Sequence, residues 1–66
     1  MRIVITNHAQ ERMNLLGIEK EQVIRCVQQG AKSRQTEGWL ASFTYLKVAY
    51  KVQPDGVIKV KTVYIE

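Results

Sequence analysis

Residues 39–65, WLASFTYLKVAYKVQPDGVIKVKTVYI, decide the fold, because apolar and polar side chains alternate through most of the stretch. Trp39, Ala41 and Phe43 alternate with Leu40, Ser42 and Thr44. Val48, Tyr50 and Val52 alternate with Lys47, Ala49 and Lys51, and Ile58, Val60, Thr62 and Tyr64 with Lys59, Lys61 and Val63. A period of two marks strands with one buried and one solvated side. Pro54-Asp55-Gly56 suits a three-residue hairpin loop with glycine in the left-handed region. That loop sets Val52 opposite Ile58, Tyr50 opposite Val60, Lys51 opposite Lys59 and Ala49 opposite Lys61. Tyr45-Leu46 as a two-residue corner pairs Thr44 with Lys47 and Ser42 with Ala49, although neither residue is good turn chemistry. A three-stranded antiparallel meander results.

Upstream, the pattern turns helical. Arg2 to Thr6 reads as a short strand, and Asn7 as an N-cap with Gln10 completing a capping box. Ala9, Met13 and Leu16 recur on one helical face, and Gly17 ends the helix. A second helix follows Ile18, with Glu19 and Glu21 suited to its start, a stripe of Val23, Ile24 and Val27, and Gly30 at its close. Ala31 to Gly38 reads as a polar connector. The expectation is therefore one α+β domain over residues 1–66: a short N-terminal strand, two helices, and the meander, with both helices packed on one face.

Bulk properties narrow the classes. A chain of 66 residues holds one core and buries roughly 60% of its unfolded surface. A hydrophobic share of 45% excludes a disordered chain. No apolar run reaches the roughly 20 residues of a membrane span, and the N-terminus lacks a signal-peptide apolar region, so a soluble cytoplasmic protein is expected. The lone Cys26 forms no internal disulfide. One histidine and one cysteine do not make a zinc ligand set, so neither metal nor cofactor is expected.

The net charge of +4 and pI near 9.5 favour polyanions as partners. Strand parity puts Lys47, Lys51, Lys59 and Lys61 together on the uncovered side of the meander, with Ser42 and Thr44 beside them. Lys51 opposite Lys59 is an unfavourable like-charge pair, which a polyanion would relieve. The competing reading is that strand lysines merely discourage edge-to-edge aggregation. His8 and Arg12, four apart, stack on one side of the first helix. They can serve as a proton-transfer group and a phosphate holder, or as a helix-start residue and a surface contact to Glu11, Glu19 or Glu21. Trp39 and Tyr50 read as core rather than as base-stacking groups. A free sheet edge leaves monomer and homodimer both open.

The stretch ITNHAQERMNLLGIEKEQVIRCVQQG, residues 5–30, resembles a widespread family of small uncharacterised prokaryotic domains. Their signature is a strand, His-Ala-x-x-Arg-Met, Gly-Ile, a helix and a meander. Ile5, His8, Ala9, Arg12, Met13, Gly17, Ile18 and Val23 match it, and DGVIKVKTVY matches the closing strand. That family is similar to RelE/ParE-type toxins, within the metal-independent ribonuclease-like folds. The resemblance implies a RelE-like domain whose sheet faces RNA, with His8, Arg12 and Tyr64 as catalytic candidates and the four lysines as the RNA-holding set. It also implies an acidic antitoxin-like protein as a further partner. Two departures stand against it: the strand parity of Tyr64 assigns it to the buried side, and the sequence stops at Glu66 where larger relatives continue.

Overall fold

The computed structural model describes residues 2–66. Among them the elements are β1 (Ile3–Ile5), α1 (Asn7–Leu16), α2 (Lys20–Gln29), β2 (Ala31–Gln35), β3 (Gly38–Phe43), β4 (Leu46–Val52) and β5 (Ile58–Ile65). The strands form one mixed sheet in the order β1-β5-β4-β3-β2. β2 to β5 are an antiparallel meander, and β1 adds parallel to β5 with Ile3 beside Ile58 and Ile5 beside Val60.

The expected α+β class holds, while the three-stranded meander is corrected to four strands. The segment expected to be a connector contains β2, which pairs with β3 from Ala31 opposite Ser42 to Gln35 opposite Gly38. Every residue of β2 is exposed. An edge strand solvated on both sides has no apolar alternation to betray it, and its order comes mainly from backbone pairing.

Both helices cover the same side of the sheet. Ala9 and Met13 of α1, Ile18, and Val23, Cys26 and Val27 of α2 share one core with Ala41, Leu46, Val48, Tyr50, Ile58, Val60 and Val63. α1 is capped by Thr6, whose hydroxyl accepts from Ala9 N at 3.2 Å and donates to Val60 O at 2.9 Å. The expected cap, Asn7, is instead the first helical residue. Thr6 wins because, directly after β1, its one hydroxyl both caps the helix and ties it to β5. Gly17 closes α1 as expected, with its own N–H and that of Ile18 returning to Asn14 O and Met13 O. α2 starts with a capping box between Glu19 and Gln22. Gly30 ends α2 against β3, where an added Cβ would lie 2.5 Å from Cys26 O and 2.6 Å from Ser42 O. Only glycine lets the helix turn into β2 at that separation.

Two registers differ from expectation. The β3–β4 corner is Thr44-Tyr45, with Phe43 opposite Leu46 and Ser42 opposite Lys47. Leu46 is buried and therefore belongs to the strand, and Thr44 takes φ 56 to make the turn. The slip is one position on each strand, so both faces keep their membership. The β4–β5 hairpin holds its expected pairs from Val52–Ile58 to Tyr50–Val60. A bulge then makes Lys61 the extra residue, and Ala49 pairs with Thr62, Val48 with Val63 and Lys47 with Tyr64. Beyond the bulge the faces of β5 invert. Val63, expected to point outward, is 0% exposed in the core. Tyr64, expected on the core side, moves to the open side. Val52 lies at the margin of the core, 47% exposed rather than covered.

Candidate nucleic-acid interface

The side of the sheet away from the helices is built in rows of directly opposed residues. The first row reads Val4, Lys59 and Lys51 across β1, β5 and β4, with Gly38 of β3 close by, where an added Cβ would lie 3.5 Å from Lys51 Cα. The second is Thr62, Ala49, Leu40 and Ser33, with the bulged Lys61 beside Thr62. The third is Tyr64, Lys47, Ser42 and Ala31. Lys51 stands four positions after Lys47, so the outer rows lie roughly 13 Å apart at about 3.3 Å per residue.

Charge is segregated by element. Glu11, Glu19 and Glu21 lie on or before the helices, Glu37 and Asp55 in turns, and Glu66 past the last strand, so no acidic residue stands on a strand. Lys51 and Lys59 are exposed and directly opposed, while Lys47 and Lys61 are half-buried. Cβ atoms of such a pair lie about 4.5–5.5 Å apart, close enough for two ammonium groups to bracket one anionic oxygen cluster. Lys61 donates to the carbonyl oxygen of Glu37 in the β2–β3 turn. Its stem therefore reaches over β4 toward the start of β3, which accounts for Ala49 being only 8% exposed on an otherwise open side.

The structure unites Lys47, Lys51, Lys59, Lys61 and Tyr64 on this face and leaves His8 and Arg12 elsewhere. Those two stand on α1, in the helix layer, with the sheet between them and the lysines. His8 is exposed and Arg12 half-buried beside the Ala9–Met13 stripe. Neither enters a side-chain hydrogen bond found among the described residues. Trp39 and Tyr50 face the helices, so Tyr64 is the aromatic residue of the lysine face. Thr62, brought beside Lys61 by the bulge, is a hydroxyl that the strand pattern had assigned to the core side.

Beneath the sheet, Cys26 is 0% exposed and its Sγ lies 3.4 Å from Ala41 O and 3.6 Å from Leu46 O. Burial pushes its thiol above the ordinary 9.0, against smaller opposing effects of Lys47, the Phe43 backbone and Lys32. Burial likewise raises the Tyr50 phenol above 10.0. Both groups are neutral packing elements of the core. Among the described residues no cluster of three or more His, Cys, Asp or Glu side chains suits a metal ion, and no helix is long and apolar enough to cross a membrane.

The family model described as a domain of unknown function, DUF4258, matches residues 5–65. The chain belongs to this family. No curated protein and no solved structure matches it. The DUF4258 match runs from the end of β1 to the end of β5, so it takes in both helices and the whole lysine face.

Proposed function

We propose that this DUF4258 chain is a RelE-like RNA-directed domain, a toxin or toxin-derived ribonuclease, that holds RNA on the open face of its sheet and cuts it without metal. The observation that carries the reading is a helix-free face bearing four lysines and a tyrosine with no acidic strand residue among them. Backbone phosphates are the natural partners of such a face, because each one neutralised releases condensed counterions. Lys51 and Lys59 grip one phosphate, and Lys47 holds the chain at the opposite end beside Tyr64.

Cleavage of RNA by its own 2′-hydroxyl needs a base for that proton, an acid for the leaving 5′-oxygen, and cations around the five-coordinate phosphorus. Lys47 supplies such a cation, and the Tyr64 hydroxyl, opposite it in the register, is the proton-transfer group beside it. His8 as base or acid and Arg12 as phosphorane stabiliser, the roles the resemblance implies, require the RNA to pass around the sheet to the helix layer.

The experiment is cleavage of a labelled RNA in EDTA, with growth arrest on expression as its cellular counterpart. Tyr64→Phe and Lys47→Ala are expected to lower cleavage about a hundredfold, within the usual range for general acid–base groups. If the parent chain shows no cleavage and causes no arrest, the enzyme is rejected.

A second reading, a non-catalytic binding module, is favoured by the position of His8 and Arg12 away from the lysines. It predicts RNA binding without cleavage and indifference to His8→Ala. In both readings the slope of log K against log salt is about −3 for a single strand if all four lysines meet phosphates, and Lys51→Glu with Lys59→Glu removes about half of it. Binding unmoved by those two changes sinks both. An acidic antitoxin-like protein remains a proposed partner of either form.

A further inference from the structure

We infer that the free edge of β2 is a docking strip for an acidic segment of another protein, which joins the sheet there as an extra strand. β2 is the terminal strand on its side, and all five of its residues are exposed. Alternate backbone N–H and C=O groups along such an edge face outward without a strand partner, the template used in strand addition. The opposite edge, β1, offers three residues only.

The side chains of β2 select the occupant. Lys32 and Arg34 stand opposite Ala41 and Trp39, so both lie on the helix side of the sheet. Each is held in place. The Lys32 ammonium donates to Gly30 O at 2.9 Å and Gln28 O at 3.4 Å, at the end of α2. The Arg34 guanidinium sits 5.1 Å from the centre of the Trp39 ring. Two fixed cations at i and i+2 therefore line one side of the edge.

A second copy of this chain is the wrong partner. A two-fold pairing of β2 with itself is antiparallel and self-complementary. Every alignment that pairs three or more β2 residues of each copy and keeps helix-side residues together sets Lys32 against Arg34, Lys32 against Lys32, or Arg34 against Arg34. Like charges directly opposite are destabilising. A strand with Glu or Asp at alternate positions meets the same two cations favourably, and its main chain completes the ladder.

The test uses the full chain and two synthetic peptides of identical composition, one alternating Glu with Val and Thr, the other with its Glu residues consecutive. The alternating peptide is expected to bind more tightly and to protect β2 amides from hydrogen exchange. Lys32→Glu with Arg34→Glu is expected to weaken it about tenfold, and the milder Lys32→Gln with Arg34→Gln about threefold. Lys51→Glu with Lys59→Glu, which disables the lysine face, is expected to leave peptide binding within about twofold while RNA binding falls. Equal loss from the lysine-face changes, unprotected β2 amides, or equal binding of the two peptides overturns the inference. Self-association of the chain that protects β2 amides overturns it as well, in favour of a second copy.

Discussion

β4 carries two proteins in one strand. Leu46, Val48 and Tyr50 face the helices and are buried, while Lys47 and Lys51, one residue away in each case, face the open side. The helix side is constrained by packing, and almost any change there costs stability. On the open side burial dictates little, and charge could be placed without breaking the core. The cations gathered there are therefore a choice that the fold did not force, which is why the open side is the better guide to function.

The sharpest way to break this contrast lies beyond the bulge in β5, where adjacent residues exchange roles. Val63→Asp buries an unpaired carboxylate and is expected to cost about 4 kcal/mol or more, a large part of the stability of so small a domain. Tyr64→Asp is expected to cost about 1 kcal/mol. Urea denaturation of both variants measures the difference. The reverse order would mean that β5 runs without its bulge and that Tyr64 belongs to the core.

A smaller effect sharpens the same contrast through pH. Cys26 and Tyr50 lie on the covered side, and burial raises both above their ordinary values of 9.0 and 10.0. Above pH 9.0 the unfolded chain ionises its thiol before the folded one does, and above 10.0 its phenol likewise. The unfolded state then binds fewer protons, so stability falls as pH rises through that window and is intact below it. Cys26→Ala is expected to flatten the first part of the alkaline decline, although it lowers stability at neutral pH by opening a small cavity. A decline that begins at the same pH in the variant would assign it to another group.

How much of this could be read in advance depends on what each segment buries. The Pro54-Asp55-Gly56 loop and the Val52–Ile58, Lys51–Lys59 and Tyr50–Val60 pairs were legible, because turn chemistry and apolar parity agree there. Gly17 and Gly30 marked both helix ends. β2 was not legible: Ala-Lys-Ser-Arg-Gln buries nothing, and a strand without a buried side leaves no apolar alternation to read. The bulge did leave a trace, two consecutive polar residues, Lys61-Thr62, between the apolar Val60 and Val63. A reading in strict twos runs past that signal and puts Tyr64 on the wrong side. The four lysines survive the error because Lys51 and Lys59 precede the bulge in the pairing, Lys47 lies on the unbulged strand β4, and Lys61 is the bulged residue itself. His8 and Arg12 were correctly placed on one helix. Their separation from the lysines depends on which side of the sheet that helix covers, a tertiary fact that spacing along the helix does not contain.

The smallest expected effect is the most informative about why the lysines are there. Lys51→Glu turns a like-charge pair into an opposite-charge pair across from Lys59, with no other strand residue moved. Cross-strand charge pairs contribute roughly 0.2–1 kcal/mol, so the variant is expected to be slightly more stable than the parent, and high salt should erase the gain. The same change removes one phosphate contact and adds repulsion, so RNA affinity should fall and the salt slope shrink. Stability and binding then move in opposite directions at one exposed residue, as they do where charge is held against the interest of the fold. If Lys51→Glu stabilises the chain and leaves RNA affinity untouched, the lysines are an ordinary solvated face. If it destabilises the chain, Lys51 has a packing role that its exposed place on the sheet does not suggest, and the contrast between the two sides weakens.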